Sequence, residues 1–200
     1  MEQQKVKATE LNALAADEAL LRLKEGAARF EEAEHPYGNV SPALRRQSCD
    51  LGQNPYAVIL TCSDSRVLPE AIFSAGIGEL FVIRVAGNTV DNHQLGTIEY
   101  AIEHLGCRLV VVLGHTHCGA VDAALNHEPG GYIKYLVDEI KEAIDDETDE
   151  ETACMLNAQH SARRIRRALL ADEPELGEQV RVITALYHLG SGRVEFEPDM

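Results

Sequence analysis

Three short, almost uninterrupted apolar runs constrain this chain more than anything else in it: Ala57-Val58-Ile59-Leu60-Thr61, Leu80-Phe81-Val82-Ile83 and Leu109-Val110-Val111-Val112-Leu113. They have strand length, and their β-branched content suits strands. A strand that is apolar at every position must be covered on both faces, as in a parallel sheet flanked by helices. Helical periods lie between and beyond them. Leu95, Ile98, Ile102 and Leu105 share a face between the second and third runs. Tyr132, Leu136, Ile140 and Ile144 recur at i,i+4, and Ala158, Ala162, Ile165 and Leu169 mark a further helix. A fourth strand is predicted over Val180 to Leu186, with Arg193-Val194-Glu195-Phe196 as its hairpin partner across Leu189-Gly190-Ser191-Gly192. The expected fold class is therefore α/β: a mainly parallel central β-sheet with an antiparallel edge strand and flanking helices.

Upstream of the first strand, Leu20, Leu23, Ala27 and Phe30 fall on one helical face that needs something to cover. The stretch from His35 to Asn54, with two prolines and two glycines, breaks the period and reads as connecting loop. The acidic run Asp145 to Glu151 reads as a solvated turn plus the first turn of the next helix, where carboxylates offset the dipole. Arg163, Arg164, Arg166 and Arg167 fall toward that helix's other end, where positive charge is favourable. At 200 residues the chain is expected to form one domain.

With 18 basic against 33 acidic side chains, the formal charge is -15. That field repels nucleic-acid backbones and anionic membranes, so neither is expected as a partner, whereas a small neutral substrate feels little of it. No apolar run reaches the roughly 18 residues of a membrane span, and the polar start Met1-Glu2-Gln3-Gln4-Lys5 lacks a signal-peptide core, so the expected location is cytoplasmic. Five cysteines, an odd number, argue against a disulfide framework and leave packing, metal binding or catalysis.

Two of the apolar strands run into chemically loaded sequence: Thr61-Cys62-Ser63-Asp64-Ser65-Arg66 after the first, and Gly114-His115-Thr116-His117-Cys118-Gly119 after the third. Ligands of open α/β sheets bind outside the carboxyl ends of the strands, where both segments fall. His115 and Cys118, three apart, can point to one center as strand turns into helix, and Cys62 would complete a Cys2His set of the kind that binds catalytic zinc. Two other readings stay open: buried packing residues beside an ordinary Asp64–Arg66 ion pair, and a thiolate nucleophile. Cys107 is better explained by packing, and Cys49 and Cys154 have no evident reason to supply a fourth ligand. Cys62, Asp64 and Arg66 alternate, so extended backbone would put them on one side. Asp64 could then orient a reactive water or swing in as the fourth ligand, with Arg66 pairing to hold it away. Gly87, in the Ala86-Gly87-Asn88 turn after the second strand, would form one wall of the same crevice. There is no GxGxxG after the first strand and no phosphate loop, which weighs against nucleotide chemistry.

Cys62-Ser63-Asp64-Ser65-Arg66-Val67 and His115-Thr116-His117-Cys118-Gly119, with Arg84-Val85-Ala86-Gly87-Asn88 and Gly96-Thr97-Ile98-Glu99-Tyr100-Ala101, closely resemble the signatures of the beta-class carbonic anhydrases. The resemblance implies one zinc ion per subunit on Cys62, His115 and Cys118, and Asp64 and Arg66 as the catalytic dyad, with Asp64 as fourth ligand in a closed state. It implies reversible hydration of carbon dioxide to bicarbonate and a proton by zinc-bound hydroxide. Hydrolysis of carbonyl sulfide or carbon disulfide on the same scaffold, and a noncatalytic zinc-binding assembly protein, are the alternatives. Gln53 is similar to the pocket glutamine of the plant-like subtype, and Phe81 and Tyr100 are similar to the aromatic residues on the pocket's apolar side. Further implications are a homodimer or higher oligomer that shares this lining between subunits, and an N-terminal helical arm over residues 1–34 that embraces the partner. Where many members carry an asparagine before the arm's Arg-Phe pair, this chain has Ala28.

Overall fold

The computed structural model describes residues 14–32, 38–172 and 174–198. Its center is a five-stranded sheet of β1 (Ala57–Thr61), β2 (Leu80–Arg84), β3 (Leu109–His115), β4 (Arg181–Tyr187) and β5 (Val194–Phe196), in the order β2-β1-β3-β4-β5. The pairs β1–β2, β1–β3 and β3–β4 are parallel, and only β4–β5 is antiparallel. The sheet expected from the apolar runs is therefore the sheet found, including its hairpin edge.

Period-two alternation divides the strand residues between two layers. Ala57, Ile59, Leu109, Val111, Ile183 and Ala185 face one layer, and Val58, Leu60, Val110, Val112 and Val182 face the other. The first face is covered by α1 (Ala16–Glu32) through Ala19, Leu20, Leu23 and Ala27, helped by Ile72 of the short α3 (Pro69–Ile72). The second is covered by α4 (Asn92–Leu105) through Ile98 and Ile102, and by α7 (Glu150–Asp172) through Ala158, Ala162 and Ile165. Around the carboxyl ends of β1 and β3, α5 (Gly119–Asn126) and α6 (Ile133–Ile144) pack with α7 into a third apolar cluster that contains Cys62 and Cys118.

Two expectations need correction. The apolar stripe of α1 lies on the sheet of its own chain, with Phe30 edge-on to Tyr187 at 6.0 Å between centroids, so that face is not left for a partner. Residues 1–13 and 33–34 of the expected arm lie outside the described residues. The stretch read as a loop from His35 to Asn54 contains a helix, α2 (Pro42–Leu51). Ser41 caps it by accepting from the Leu44 N–H, Pro42 opens it, and Gly52 ends it at φ 82. It buries no residue, so it left no apolar period to read. The acidic segment is a turn leading into α7, as expected, with Asp149 accepting from the Thr152 N–H and hydroxyl.

Candidate metal centre

Parallel pairing aligns β1 and β3 from Val58↔Val110 to Thr61↔Leu113, so both strands deliver their next residues at the same edge. Cys62 follows Thr61 directly, and His115 lies two residues beyond Leu113. The Thr61 hydroxyl donates to the Leu113 carbonyl at 2.7 Å, tying the two strand ends together within the core. Between Leu113 and His115, Gly114 lets α7 come close: a Cβ there would sit 3.1 Å from the Ala158 Cβ and 3.2 Å from the Cys154 carbonyl oxygen. After β3 the chain turns at His117, which has φ 57, and Cys118 stands at the N-cap of α5.

This routing brings Cys62, His115 and Cys118 together, all buried, with their ligand atoms within 4.8 Å of one another. The two sulfurs are 4.0 Å apart, close to the ~3.8 Å that two zinc–sulfur bonds of about 2.3 Å subtend in a tetrahedron. His115 Nδ1 is 2.9 Å from the Thr116 carbonyl, which makes it the donor, while Nε2 is buried without a hydrogen-bond partner among the described residues. A buried imidazole nitrogen with a free lone pair beside two sulfurs is costly until an electrophile takes it, so the donor set fits zinc. Without metal the charges say the same. The Cys62 thiol is drawn down to about 4, first by the Cys118 thiol bonded to it, against burial, then by His115 and the Gly87 N–H. Cys118 is pushed up, first by that same bond and then by burial. Burial alone would lower His115, but the Cys62 sulfur and the Thr116 carbonyl outweigh it and raise it. A divalent ion bound by this set would displace protons, because thiolates and a neutral imidazole are the ligating forms.

Asp64 stands outside this cluster. Arg66 holds it in a fork, Nε to Oδ1 at 2.9 Å and Nη2 to Oδ2 at 2.7 Å, while the Arg66 backbone N–H donates to Oδ1 at 2.9 Å. Those hydrogen bonds, the side-chain fork first, hold the Asp64 carboxyl well below the usual carboxylate range. Arg66 Nη2 also donates to the His117 carbonyl at 3.1 Å, which the positive φ of His117 makes available, so the dyad bridges the two motifs.

Sequence reasoning missed one residue here. Arg84, at the end of β2 opposite Thr61, donates from Nε to the Cys62 carbonyl at 3.2 Å and from Nη2 to the Asp64 carbonyl at 2.6 Å, clamping the loop that carries both. An arginine closing an otherwise apolar strand was the available signal. Gly87, expected as a wall of the crevice, also donates its N–H to the Cys62 sulfur at 3.3 Å. It needs to be glycine: φ is 68, and a Cβ would sit 2.8 Å from Ile140 Cδ1.

The other expected pocket residues are not gathered at this edge. Gln53 precedes β1, at the opposite end of the strand from Cys62, and is exposed. Phe81 pairs with Val58, three registers before Arg84. Its ring lies 6.2 Å from that of Tyr100, which is 46% exposed. Among the remaining cysteines, Cys107 donates to the Pro55 carbonyl at 3.3 Å, Cys49 is exposed, and Cys154 packs beside the triad without joining it. His93, His104, His117, His127, His160 and His188 also lie outside it.

Three protein donors of Cys2His type, buried at the carboxyl ends of a parallel sheet with no fourth ligand among the described residues, define a zinc-dependent α/β enzyme. The sequence profile of the carbonic anhydrase family matches residues 57–194. The chain is 37% identical over 187 residues to a carbonic anhydrase of Mycolicibacterium smegmatis, covering 86% of this chain and 89% of that one. It is 38% identical over 192 residues to carbonic anhydrase 2 of Mycobacterium tuberculosis, covering 86% and 87%. Among solved structures it resembles a tetrameric beta-carbonic anhydrase of Sordaria macrospora at TM-score 0.63 and 27% identity, over 78% of this chain and 86% of that one. It also resembles the Coccomyxa beta-carbonic anhydrase in complex with acetazolamide at TM-score 0.63 and 25% identity, over 79% and 86%. The chain belongs to the carbonic anhydrase family, and its Cys-His-Cys donor set places it in the beta class.

Proposed function

We propose that this chain catalyses the reversible hydration of carbon dioxide to bicarbonate and a proton, with one Zn2+ per subunit held by Cys62, His115 and Cys118. The observation that carries the reading is the buried Cys2His cluster with its unpartnered imidazole nitrogen, bordered by a carboxylate that stays ionised. Zinc at this position supplies Lewis-acid chemistry that makes hydroxide available near neutral pH. The protein's part is orientation. Arg66 keeps Asp64 ionised and turned away from the sulfurs. Oδ1 already accepts two bonds from Arg66 and Oδ2 only one, so Oδ2 retains acceptor capacity and can take a hydrogen bond from hydroxide supplied at the metal position, orienting it toward the substrate carbon. Arg84 fixes the loop on which this alignment depends.

Substrate lining is completed by Gln53, Phe81, Gly87 and Tyr100 in the manner of the plant-like subtype. Gly87 stands on the metal side within one chain. Gln53, Phe81 and Tyr100 serve from a neighboring subunit, in a homodimer or larger assembly of single-domain chains over residues 1–200 with an N-terminal arm over 1–34. Their distance from Cys62 within the chain and the exposure of Gln53 and Tyr100 support that sharing. In the described residues no helix is long and apolar enough to cross a membrane; the cytoplasm remains our proposed location.

Stopped-flow carbon dioxide hydration by zinc-loaded and chelator-stripped protein tests the proposal. Activity should follow zinc content. Full turnover without metal sinks it, and a zinc-loaded but inert protein would instead be a binding or assembly protein. Carbonyl sulfide and carbon disulfide present the same linear geometry, so relative kcat/KM on the three substrates assigns the natural one.

A further inference from the structure

We infer that Asn157 and Ser161 are positioning residues of the metal centre, acting on the Cys62 sulfur through the backbone of the Ala86–Asn88 turn. The inference rests on the zinc reading above. Both side chains lie on the face of α7 that runs behind this turn, one helical turn apart, and each residue is 1% exposed. Asn157 Nδ2 donates to the Gly87 carbonyl at 2.7 Å, and Ser161 Oγ donates to the Asn88 carbonyl at 2.9 Å. Their neighbors on that helix, Ala158, Ala162 and Ile165, are apolar and packed into the core. An amide and a hydroxyl at such positions cost stability unless they are bonded, and here both bonds go to one three-residue turn.

That turn needs holding. Gly87 and Asn88 are both left-handed, at φ 68 and 44, and the second is not glycine. Successive residues in this region cost energy and persist only where the surroundings fix them. A further clamp comes from Glu139 of α6, whose Oε1 accepts from the Val90 N–H at 3.1 Å and from Arg164 Nη1 at 2.8 Å. With the Gly87 carbonyl held on one side, its own N–H is aimed the other way, at the Cys62 sulfur 3.3 Å away. Two thiolates donate more charge to a metal than imidazoles do. An N–H bond to one of them draws some of that charge back and fixes the direction of its lone pair. Asn157 and Ser161 touch neither metal nor substrate, so they act only through the turn.

The test uses the full chain with Asn157→Ala, Ser161→Ala and Ser161→Thr, the last keeping the hydroxyl. Zinc affinity is measured by chelator competition, the thiolate-to-metal charge-transfer band after cobalt substitution, and Tm alongside. Each alanine variant should bind zinc about tenfold to a hundredfold more weakly. The cobalt band should move to longer wavelength as the sulfur becomes more electron-rich, while Ser161→Thr stays with the parent protein. Alanine variants with a lowered Tm but unchanged zinc affinity and cobalt band would show the two side chains to be structural only and overturn the inference. Should Asn157→Ala not fold, the Ser161 pair decides alone. A parent protein with no cobalt–thiolate band refutes the metal reading itself, a result separate from the variants.

Discussion

The two ends of β1 are built on opposite terms. At its carboxyl end, Cys62, His115 and Cys118 are buried, tied across strands by Thr61 and Leu113, and clamped from outside by Arg84. The His115 imidazole Nε2 is buried there without a hydrogen-bond partner among the described residues. Near its amino end, Gln53 and Tyr100 are exposed and Phe81 is half-buried. The contrast teaches that the metal donors are gathered within the single chain, while Gln53, Phe81 and Tyr100 are not brought to them by its fold.

Breaking the metal end should have the largest effect. Cys62→Ala or His115→Ala should lose stoichiometric zinc by metal analysis, with kcat/KM for hydration down by at least about a thousandfold. Asp64→Ala should keep its zinc and lose about 10²- to 10³-fold in kcat, the size of effect expected for a lost general-base or orienting group. Full activity in that variant would remove Asp64 from the mechanism. Gln53→Ala should cost less, about tenfold in kcat/KM, as expected for one substrate hydrogen bond. It also offers the sharpest test of the contrast. If the lining crosses between subunits, mixing Asp64→Ala with Gln53→Ala chains restores one intact site in each mixed dimer, and recovered activity measures it. Mixing without recovery puts Gln53 outside the neighbor's site.

Smaller effects follow from titration. The Asp64 pKa is lowered, so the pair with Arg66 contributes stability that is complete above the unfolded carboxylate value of about 3.9 and fades as pH falls through the lower folded value. Denaturant midpoints of the metal-free parent and Asp64→Asn should therefore keep a constant gap from neutrality to about pH 4 and converge only below it. Burial pushes Cys107 and Cys154 up to about 12. Both should stay unlabeled by iodoacetamide at pH 8, while exposed Cys49 reacts and Cys62 becomes labelable only after zinc is removed, as peptide mass analysis would show.

The strands were legible in the sequence because a doubly covered strand must be apolar at every position, and Val110, Val111 and Val112 allow little else. Helix α2 was not, since it buries nothing and is marked only by Ser41, Pro42 and Gly52. The metal ligands were legible because sulfur and imidazole at strand ends are chemically unusual. Arg84, Asn157 and Ser161 were not, because their partners are main-chain carbonyls, which every residue carries and no motif records. Gln53, Phe81 and Tyr100 came from family resemblance alone, and nothing in a single chain's packing draws them toward Cys62.

The hydroxyl strap from Thr61 to Leu113 spans 52 positions of chain. The full donor set cannot close before β1 and β3 have met, so a growing polypeptide that has emerged only as far as α4 offers an ion one of the three donors, Cys62. Three-donor capture of zinc is thereby coupled to the pairing of β1 with β3, because the site does not exist until those two strand ends lie side by side.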